Sequence, residues 1–223
     1  MDHEIVLLRR EFVTHDVQRF TFTRPEDFSF EPGQGVELAI DEPKWREERR
    51  PFTPTSSPGD GVVEFTIKRY SDHHGVTERL HGLPSGARLG MSEPFGTIRF
   101  RGPGVFLAGG AGMTPFLSIL RRLAEEGGEG IGASTLFFSN KTRADVFCEH
   151  ELRHALGERC VLLTTREAAP GYLHRRMDRA LLAERVHDFA QRFYVCGPDP
   201  FVADLKRELA ALGAAPEALV FEE

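Results

Sequence analysis

The chain has 223 residues, of which 40% are hydrophobic and 28% charged, a size and balance that suit one large or two small globular domains. Its formal net charge of −6 is shared by both halves without a basic arm or stripe, which argues against nucleic acid as a partner. No run approaches the ~18 apolar residues of a membrane span, and the first residues, MDHEIVLLRREF, lack the basic and apolar regions of a leader, so a cytoplasmic chain is expected.

Residues 1 to about 102 read as all-β. Strand-like runs at Glu4 to Phe12, Val17 to Thr23, Val36 to Ile40, Val62 to Tyr70 and Ala87 to Met91 are separated by turn signals such as Arg24-Pro25 and Glu31-Pro32-Gly33. From Val62 to Ile67 the pattern nearly alternates, with Val63, Phe65 and Ile67 on one face and Glu64 and Thr66 on the other. Such a series favours a barrel or sandwich, interrupted by a short helix at Val76 to Leu83.

Past Gly102-Pro103-Gly104 the rhythm changes to alternating strand and helix. Strands are expected at Val105 to Ala108, Ser134 to Phe138, Val161 to Thr165, Arg192 to Cys196 and Leu219 to Phe221. Helices are expected at Pro115 to Glu125, Val146 to Leu156, Met177 to Glu184 and Pro200 to Leu212. Crossovers of this kind build a doubly wound parallel sheet.

Three stretches carry chemistry. In Val105 to Leu120 an apolar strand breaks into Gly109, Gly110 and Gly112 before a helix, with Thr114 placed to cap it and Pro115 in its first turn. Glycines allow close backbone approach, and the free N–H groups at a helix start favour a phosphate. The spacing is neither G-x-G-x-x-G nor a P-loop. In Arg49 to Pro58 a guanidinium, a flat ring and a hydroxyl fall within four residues, a set suited to a phosphate and a heterocycle, or to a proline-rich edge strand with one core Phe. In Tyr194 to Pro200 a strand again ends in a glycine turn and a helix, where α/β sheets bind ligands; a buried structural cysteine would give the same pattern.

Cys148, Cys160 and Cys196 are unclustered, so a disulfide framework or a four-cysteine iron–sulfur or zinc site cannot be built from them. His73, His74, His150, His154 and His174 show no metal-ligand spacing, and no metal site is expected.

In their order these residues resemble the ferredoxin–NADP reductase superfamily. Arg50-Pro51-Phe52-Thr53 stands for its R-x-Y-[ST], Gly75-Val76-Thr77 for G-x-x-[ST], Gly109-Gly110-Ala111-Gly112-Met113-Thr114-Pro115 for G-G-x-G-x-[ST]-P, and Cys196-Gly197-Pro198 for C-G-P. Phe137 to Thr142 followed by Tyr194 to Pro198 is most similar to the short bacterial flavodoxin/ferredoxin reductase-like proteins. The resemblance implies two domains: an FAD-binding antiparallel Greek-key β-barrel over residues 1–102, then an NAD(P)-binding α/β domain with a doubly wound parallel sheet over 103–223.

Carried over residue by residue, Arg50 would pair with flavin phosphates, Pro51 and Phe52 would lie along the isoalloxazine, and Thr53 would bond near N5. Phe52 replaces the usual Tyr, which keeps stacking and loses a hydroxyl. Ile67, Lys68 and Arg69 would pass the flavin, Ile67 also fitting a plain core position, and Gly75, Val76 and Thr77 would meet the pyrophosphate, favouring FAD over FMN. Gly109 to Gly112, Met113, Thr114 and Pro115 would hold the nicotinamide nucleotide, with Cys196, Gly197 and Pro198 beside the nicotinamide. Thr165, Arg166 and Arg175 or Arg176 fall near the adenosine end and tilt the preference slightly toward NADP(H), with NAD(H) open. Glu222 is either a polar neighbour of the reaction, with Thr53 and Cys196, or an acidic tail; the flavin face is open or covered by Phe221.

The expected activity is an NAD(P)H-dependent flavoprotein reductase that passes electrons to a separate carrier such as flavodoxin or ferredoxin. A diaphorase or ferric reductase with a small-molecule acceptor, and a flavin-binding subunit without turnover, are the alternatives.

Overall fold

A computed structural model describes residues 2–70, 74–96 and 98–221; His73 and Glu222 lie outside them. Strands β1 (His3–Phe12), β2 (Val17–Thr23), β3 (Val36–Ile40), β4 (Arg50–Phe52), β5 (Val62–Lys68) and β6 (Arg88–Met91) pair antiparallel in the order β4-β3-β6-β1-β2-β5. A bridge from Pro54, just past β4, to Phe65 of β5 draws the two ends of the sheet into a nearly closed barrel. Its core is set by alternation: Val63, Phe65 and Ile67 of β5 pack with Phe20 and Phe22 of β2 and Leu89 and Met91 of β6. Thr66 departs from the expected outward face and is buried, with the Thr55 hydroxyl of the segment after β4 3.1 Å from its own. β5 stops at Lys68, short of the expected Tyr70, where the Arg69 amide turns to the Asp16 carbonyl at 2.7 Å. The helix α1 (Val76–His81) follows.

The second sheet is parallel, with β7 (Gly104–Gly109), β8 (Thr135–Asn140), β9 (Cys160–Thr164), β10 (Leu173–His174), β11 (Arg192–Cys196) and β12 (Leu219–Phe221) in the order β10-β9-β8-β7-β11-β12. Helices α2 (Thr114–Glu126), α3 (Glu129–Gly132), α4 (Glu149–Leu156), α5 (Arg179–Arg185) and α6 (Asp199–Ala211) complete it. Side chains of β7 explain its unbroken apolar run. Phe106 and Ala108 pack toward α2 and α4, while Val105 and Leu107 pack toward α5 and α6, so both faces are covered. The cluster around α2 also takes in Val17 and Ile98, which makes the interior continuous with the barrel half.

Two elements begin later than their apolar patterns suggest. Thr142 and Asp145 close a capping box on a short 3₁₀ turn and Cys148 takes a left-handed φ of 57°, so α4 starts at Glu149 rather than Val146. Asp178 caps α5, its carboxylate accepting from the Leu181 amide at 2.9 Å, so Met177 precedes the helix.

Antiparallel pairing gives way to parallel between Met91 and Gly104. Tyr194 secures that passage. Its buried ring stacks on Phe106 with centroids 4.5 Å apart, and its hydroxyl accepts from the Arg101 amide at 2.9 Å and donates to the Gly102 carbonyl at 2.7 Å. Among the described residues no helix is long and apolar enough to cross a membrane.

Candidate functional site

From β7 the chain runs out through β8 and β9 to β10, then returns at β11 on the other side of β7. At such a switch point the turns beyond two neighbouring strands diverge and leave a crevice at their carboxyl ends. Here those turns are Gly109 to Thr114 and Cys196 to Pro198, and they touch: a Cβ on Gly112 would lie 2.4 Å from both the carbonyl carbon and the oxygen of Cys196. Gly110 has a φ of 54°, which spares it the strain a side chain would meet there. Phe201 closes the crevice from behind, since a Cβ on Gly197 would come within 2.7 Å of its ring. The barrel supplies the facing wall, and the two enclose a cleft of about 650 Å³, within the range of small-molecule and cofactor sites.

The barrel wall carries Pro51, Phe52, Thr53, Ile67, Lys68 and Thr77. The facing wall carries Gly109, Gly110, Ala111, Gly112, Thr114, Pro115, Cys196, Gly197 and Pro198. Thr114 is not the cap that its sequence position suggests. A 3₁₀ turn over Gly110–Met113 makes it the first residue of α2, and its hydroxyl donates back to the Ala111 carbonyl at 3.1 Å. Ile67 has its side chain in the barrel core and is also among the residues lining the cleft.

Other expected residues lie off the walls. Val76 and Met113 point into the two hydrophobic cores, which burial of an apolar side chain favours over a place beside a ligand. Gly75 caps α1. Arg50 is exposed, with its Nη2 3.0 Å from Glu48, and Arg69 and Arg166 are exposed as well. Arg175 is held by Asp178 and Glu184. Phe221 packs against α6 with the Lys206 ammonium 3.8 Å from its ring centre and is not on the cleft, so it covers nothing there. Glu222 lies outside the described residues.

Thr165, expected near the adenosine end, lies on the cleft, which also holds residues to which the sequence motifs assign no role: Thr66, Tyr70, Ser139, Asn140, Lys141, Asp145 and Phe201. Ser139 pairs with Gly109 across β7 and β8, so reading the carboxyl end of every central strand, and not only the glycine turns, would find Ser139 and Asn140.

Charge within the cleft is largely compensated. Lys68 Nζ sits 2.8 Å from Asp16; partial burial pushes the Asp16 carboxyl up, but the ammonium outweighs it and holds the group below its ordinary range. His15, Asp16 and Asp145 gather within 4.8 Å of one another, and Lys68 already supplies the cation beside Asp16. Burial pushes the Cys148 and Cys160 thiols up to about 11, which keeps both protonated and unreactive near neutrality.

Behind β5, the buried His81 donates from Nε2 to the Ile67 carbonyl at 2.9 Å, and its Nδ1 has no partner among the described residues. Burial, with the charges of Arg69 and Arg10, pushes its pKa below the ordinary 6.5 despite the bond to Ile67. The unfolded chain therefore takes up the proton first. His81 costs nothing above about pH 6.5, and stability falls as pH drops from there through the folded-state value. In His81→Gln, which keeps a donor without a titrating ring, the urea midpoint should fall less between pH 6.5 and 5 than in the parent protein.

One buried polar group of a cleft residue lacks a protein partner among the described residues, which fits a site built for a polar ligand. Asn140 is 7% exposed and its Nδ2 bonds to nothing among the described residues. Such a group is costly to bury unless a ligand or water meets it. Thr53, also on the cleft, is 7% exposed, and its hydroxyl makes no hydrogen bond among the described residues. With the glycine cradle, the two residues fit a flavin along the barrel wall and a nicotinamide nucleotide along the other.

Comparison with known proteins agrees with this geometry. Residues 4–100 match the family model of the oxidoreductase FAD-binding domain, and residues 106–207 that of the oxidoreductase NAD-binding domain. The chain is 29% identical over 213 residues to the ferredoxin–NAD(P)(+) reductase component of the naphthalene 1,2-dioxygenase/salicylate 5-hydroxylase systems of a Ralstonia species, covering 91% of this chain and 63% of that protein. It is 28% identical to NADH-cytochrome b5 reductase 1 of Ajellomyces capsulatus over 96% of this chain and 75% of the relative. Among solved structures, the flavohem-like FAD/NAD-binding domain of nitric oxide dioxygenase from Vibrio cholerae superposes with a TM-score of 0.86 at 21% identity, over 98% of this chain and 97% of that one. A ferredoxin NADP+ reductase from Neisseria gonorrhoeae, solved with bound FAD and NADP, gives 0.80 at 23% over 95% and 91%. The chain thus spans 63% and 64% of the length of two oxygenase-system reductases that it matches. Matches to an FAD-binding and then an NAD-binding family model along nearly the whole chain, with Phe52 and Thr53 of one half and the Gly109 and Cys196 turns of the other lining the same cleft, make this chain a member of the ferredoxin–NADP reductase superfamily.

Proposed function

We propose that the chain is an NAD(P)H-dependent FAD reductase that delivers electrons to a separate carrier, such as a flavodoxin or ferredoxin, in the cytoplasm. The observation that carries this reading is one cleft with a wall for each cofactor: Phe52, Thr53 and Ile67 on one side, Gly109 to Gly112 and Cys196 to Pro198 on the other. The division into an FAD domain over residues 1–102 and an NAD(P) domain over 103–223 belongs to the same reading, supported by the change of strand pairing between Met91 and Gly104. The carrier is inferred from the oxygenase-system reductases to which the chain is similar.

When bound, the two cofactors supply hydride transfer between nicotinamide C4 and flavin N5. The chain's part is to bind, align and exclude water. Phe52 offers a flat apolar surface, and the Thr53 hydroxyl a hydrogen bond that the protein leaves unused. Ile67, Lys68 and Arg69 would pass along the ring and phosphates, and Gly75, Val76 and Thr77 would present the start of α1, at Val76, to the pyrophosphate. Met113, buried in the core beside α2, would support the turn from Gly109 to Pro115, and Arg166 would stand near the adenosine end. Cys196, 3% exposed, packs where the nicotinamide would lie and need not take a proton. For Glu222 a polar role beside the flavin remains part of the proposal.

Arg50 must leave Glu48 to reach a phosphate. Arg50→Ala should weaken FAD binding on the order of 10–100-fold, as expected for losing charge-assisted hydrogen bonds, read by titration of flavin fluorescence. The decisive test is the absorption spectrum of the purified protein before and after anaerobic addition of NADPH or NADH. Flavin bands that bleach with one nucleotide establish the reaction and the preference together, and reoxidation by purified carriers against ferric chelates then identifies the acceptor class. A protein that neither carries nor takes up FAD would refute the reading.

A further inference from the structure

The two walls of the cleft are joined by a polar seam whose own residues, Thr55, Ser56, Ser57, Ser118, Arg121 and Glu125, are not among those lining it. Helix α2 begins in the glycine turn at Thr114 and, along one face, presents Ser118, Arg121 and Glu125, three and four residues apart. These meet Thr55, Ser56 and Ser57, which follow Thr53 almost directly on the barrel side. The Ser118 hydroxyl donates to the Ser56 carbonyl at 3.5 Å, Arg121 Nη1 donates to the Thr55 carbonyl at 2.5 Å, and the Ser57 hydroxyl donates to Glu125 Oε1 at 2.5 Å.

Arg121 is the centre of this seam. Its side chain is only 16% exposed, and its Nε and Nη2 are taken by both carboxylate oxygens of Glu151 on α4, at 2.5 and 2.9 Å. That fork fixes the plane of the guanidinium, so Nη1 can point only at Thr55. Thr55 is anchored in turn, its amide donating to the Glu64 carbonyl at 2.7 Å and its hydroxyl meeting Thr66, which lies on the cleft. One side chain thus connects α4, the helix of the glycine turn and the strand segment of Phe52 and Thr53.

We infer that Arg121 is a positioning residue, which sets the spacing between the flavin wall and the nicotinamide wall by holding Thr55 from α2. The inference rests on the two-cofactor reading of the cleft. A lysine cannot engage Glu151 through a fork and reach Thr55 at once. A misplacement of about 1 Å between reacting groups can cost on the order of 100-fold in rate without a matching loss of binding.

Arg121→Lys is therefore expected to keep FAD affinity and nicotinamide Kd within about twofold while slowing anaerobic flavin reduction by roughly 10–100-fold. In the FAD-free protein, amide hydrogen exchange at Thr55 and Ser57 should speed up by about tenfold, with the barrel core unchanged. Glu151→Gln, which leaves Arg121 its contact with Thr55 but weakens the fork, should shift both readouts in the same direction by less, and carries the test if the lysine variant does not fold. Unchanged exchange and unchanged reduction, or a rate loss matched by equal loss of cofactor binding, would overturn the assignment. A parent protein that binds no flavin would be seen before any variant is made and would remove the cleft reading, and this inference with it.

Discussion

Gly112→Ala is expected to abolish nicotinamide-nucleotide binding at accessible concentrations while leaving the barrel folded. The added Cβ would sit 2.4 Å from the Cys196 carbonyl carbon and oxygen and 2.5 Å from the Gly197 amide nitrogen. All three are backbone atoms, so no side chain can rotate away and the turns after β7 and β11 must part. Overpacking of this kind costs about 1–3 kcal/mol or more, and it falls on the surface that would hold the nucleotide. Gly110→Ala is the informative control. Nothing lies within 4 Å of its Cβ, so only its φ of 54° is penalised, at about 1–2 kcal/mol. Urea denaturation and titration with NADPH and NADH separate the two: Gly112→Ala should lose binding far beyond its loss of stability, whereas Gly110→Ala should lose mainly stability. Binding by Gly112→Ala within twofold of the parent would mean that the turns do not meet as described.

Asn140→Leu should move binding and stability in opposite directions. Asn140 is 7% exposed and its Nδ2 has no partner among the described residues, so the ligand-free protein carries the cost of burying it. A leucine of similar size removes that cost, and the urea midpoint of the ligand-free protein should stay level or rise. The nicotinamide nucleotide, left with an unmet polar group, should bind roughly 10–100-fold more weakly, with FAD affinity unchanged. Equal nucleotide affinity in the variant would show that Asn140 serves the fold and not the ligand.

Much of this was legible in the residues themselves. Alternation in Val62 to Ile67 and the unbroken run of Val105 to Ala108 distinguish a sheet with one core from a sheet covered on both faces, and both stand as expected. The glycine turn and the Cys196 turn are readable because each sits directly after a strand. What stayed hidden depends on register and three-dimensional neighbours. Asn140 lies on the cleft only because β8 pairs beside β7 with Ser139 opposite Gly109. β10 spans two residues and α3 four, too short for any period to show. Thr66 reads as outward-facing in its own strand, yet it is buried where the segment after β4 brings the Thr55 hydroxyl against it. Arg50, Lys68 and Arg175 read as available cations; Glu48 and Asp178 lie two and three residues from Arg50 and Arg175, whereas Asp16 and Glu184 reach Lys68 and Arg175 only through the fold.

Those pairings bear on how an anionic ligand would arrive. The Arg50 and Lys68 charges are each neutralised by a carboxylate of the same chain, 3.0 and 2.8 Å away. A phosphate reaching the barrel wall exchanges one partner for another instead of meeting a bare positive field. Long-range steering by these two side chains is correspondingly weak. At their positions recognition is decided at contact, by the shape of the cleft and its unused hydrogen-bonding groups, and other polyanions gain little from Arg50 and Lys68 alone.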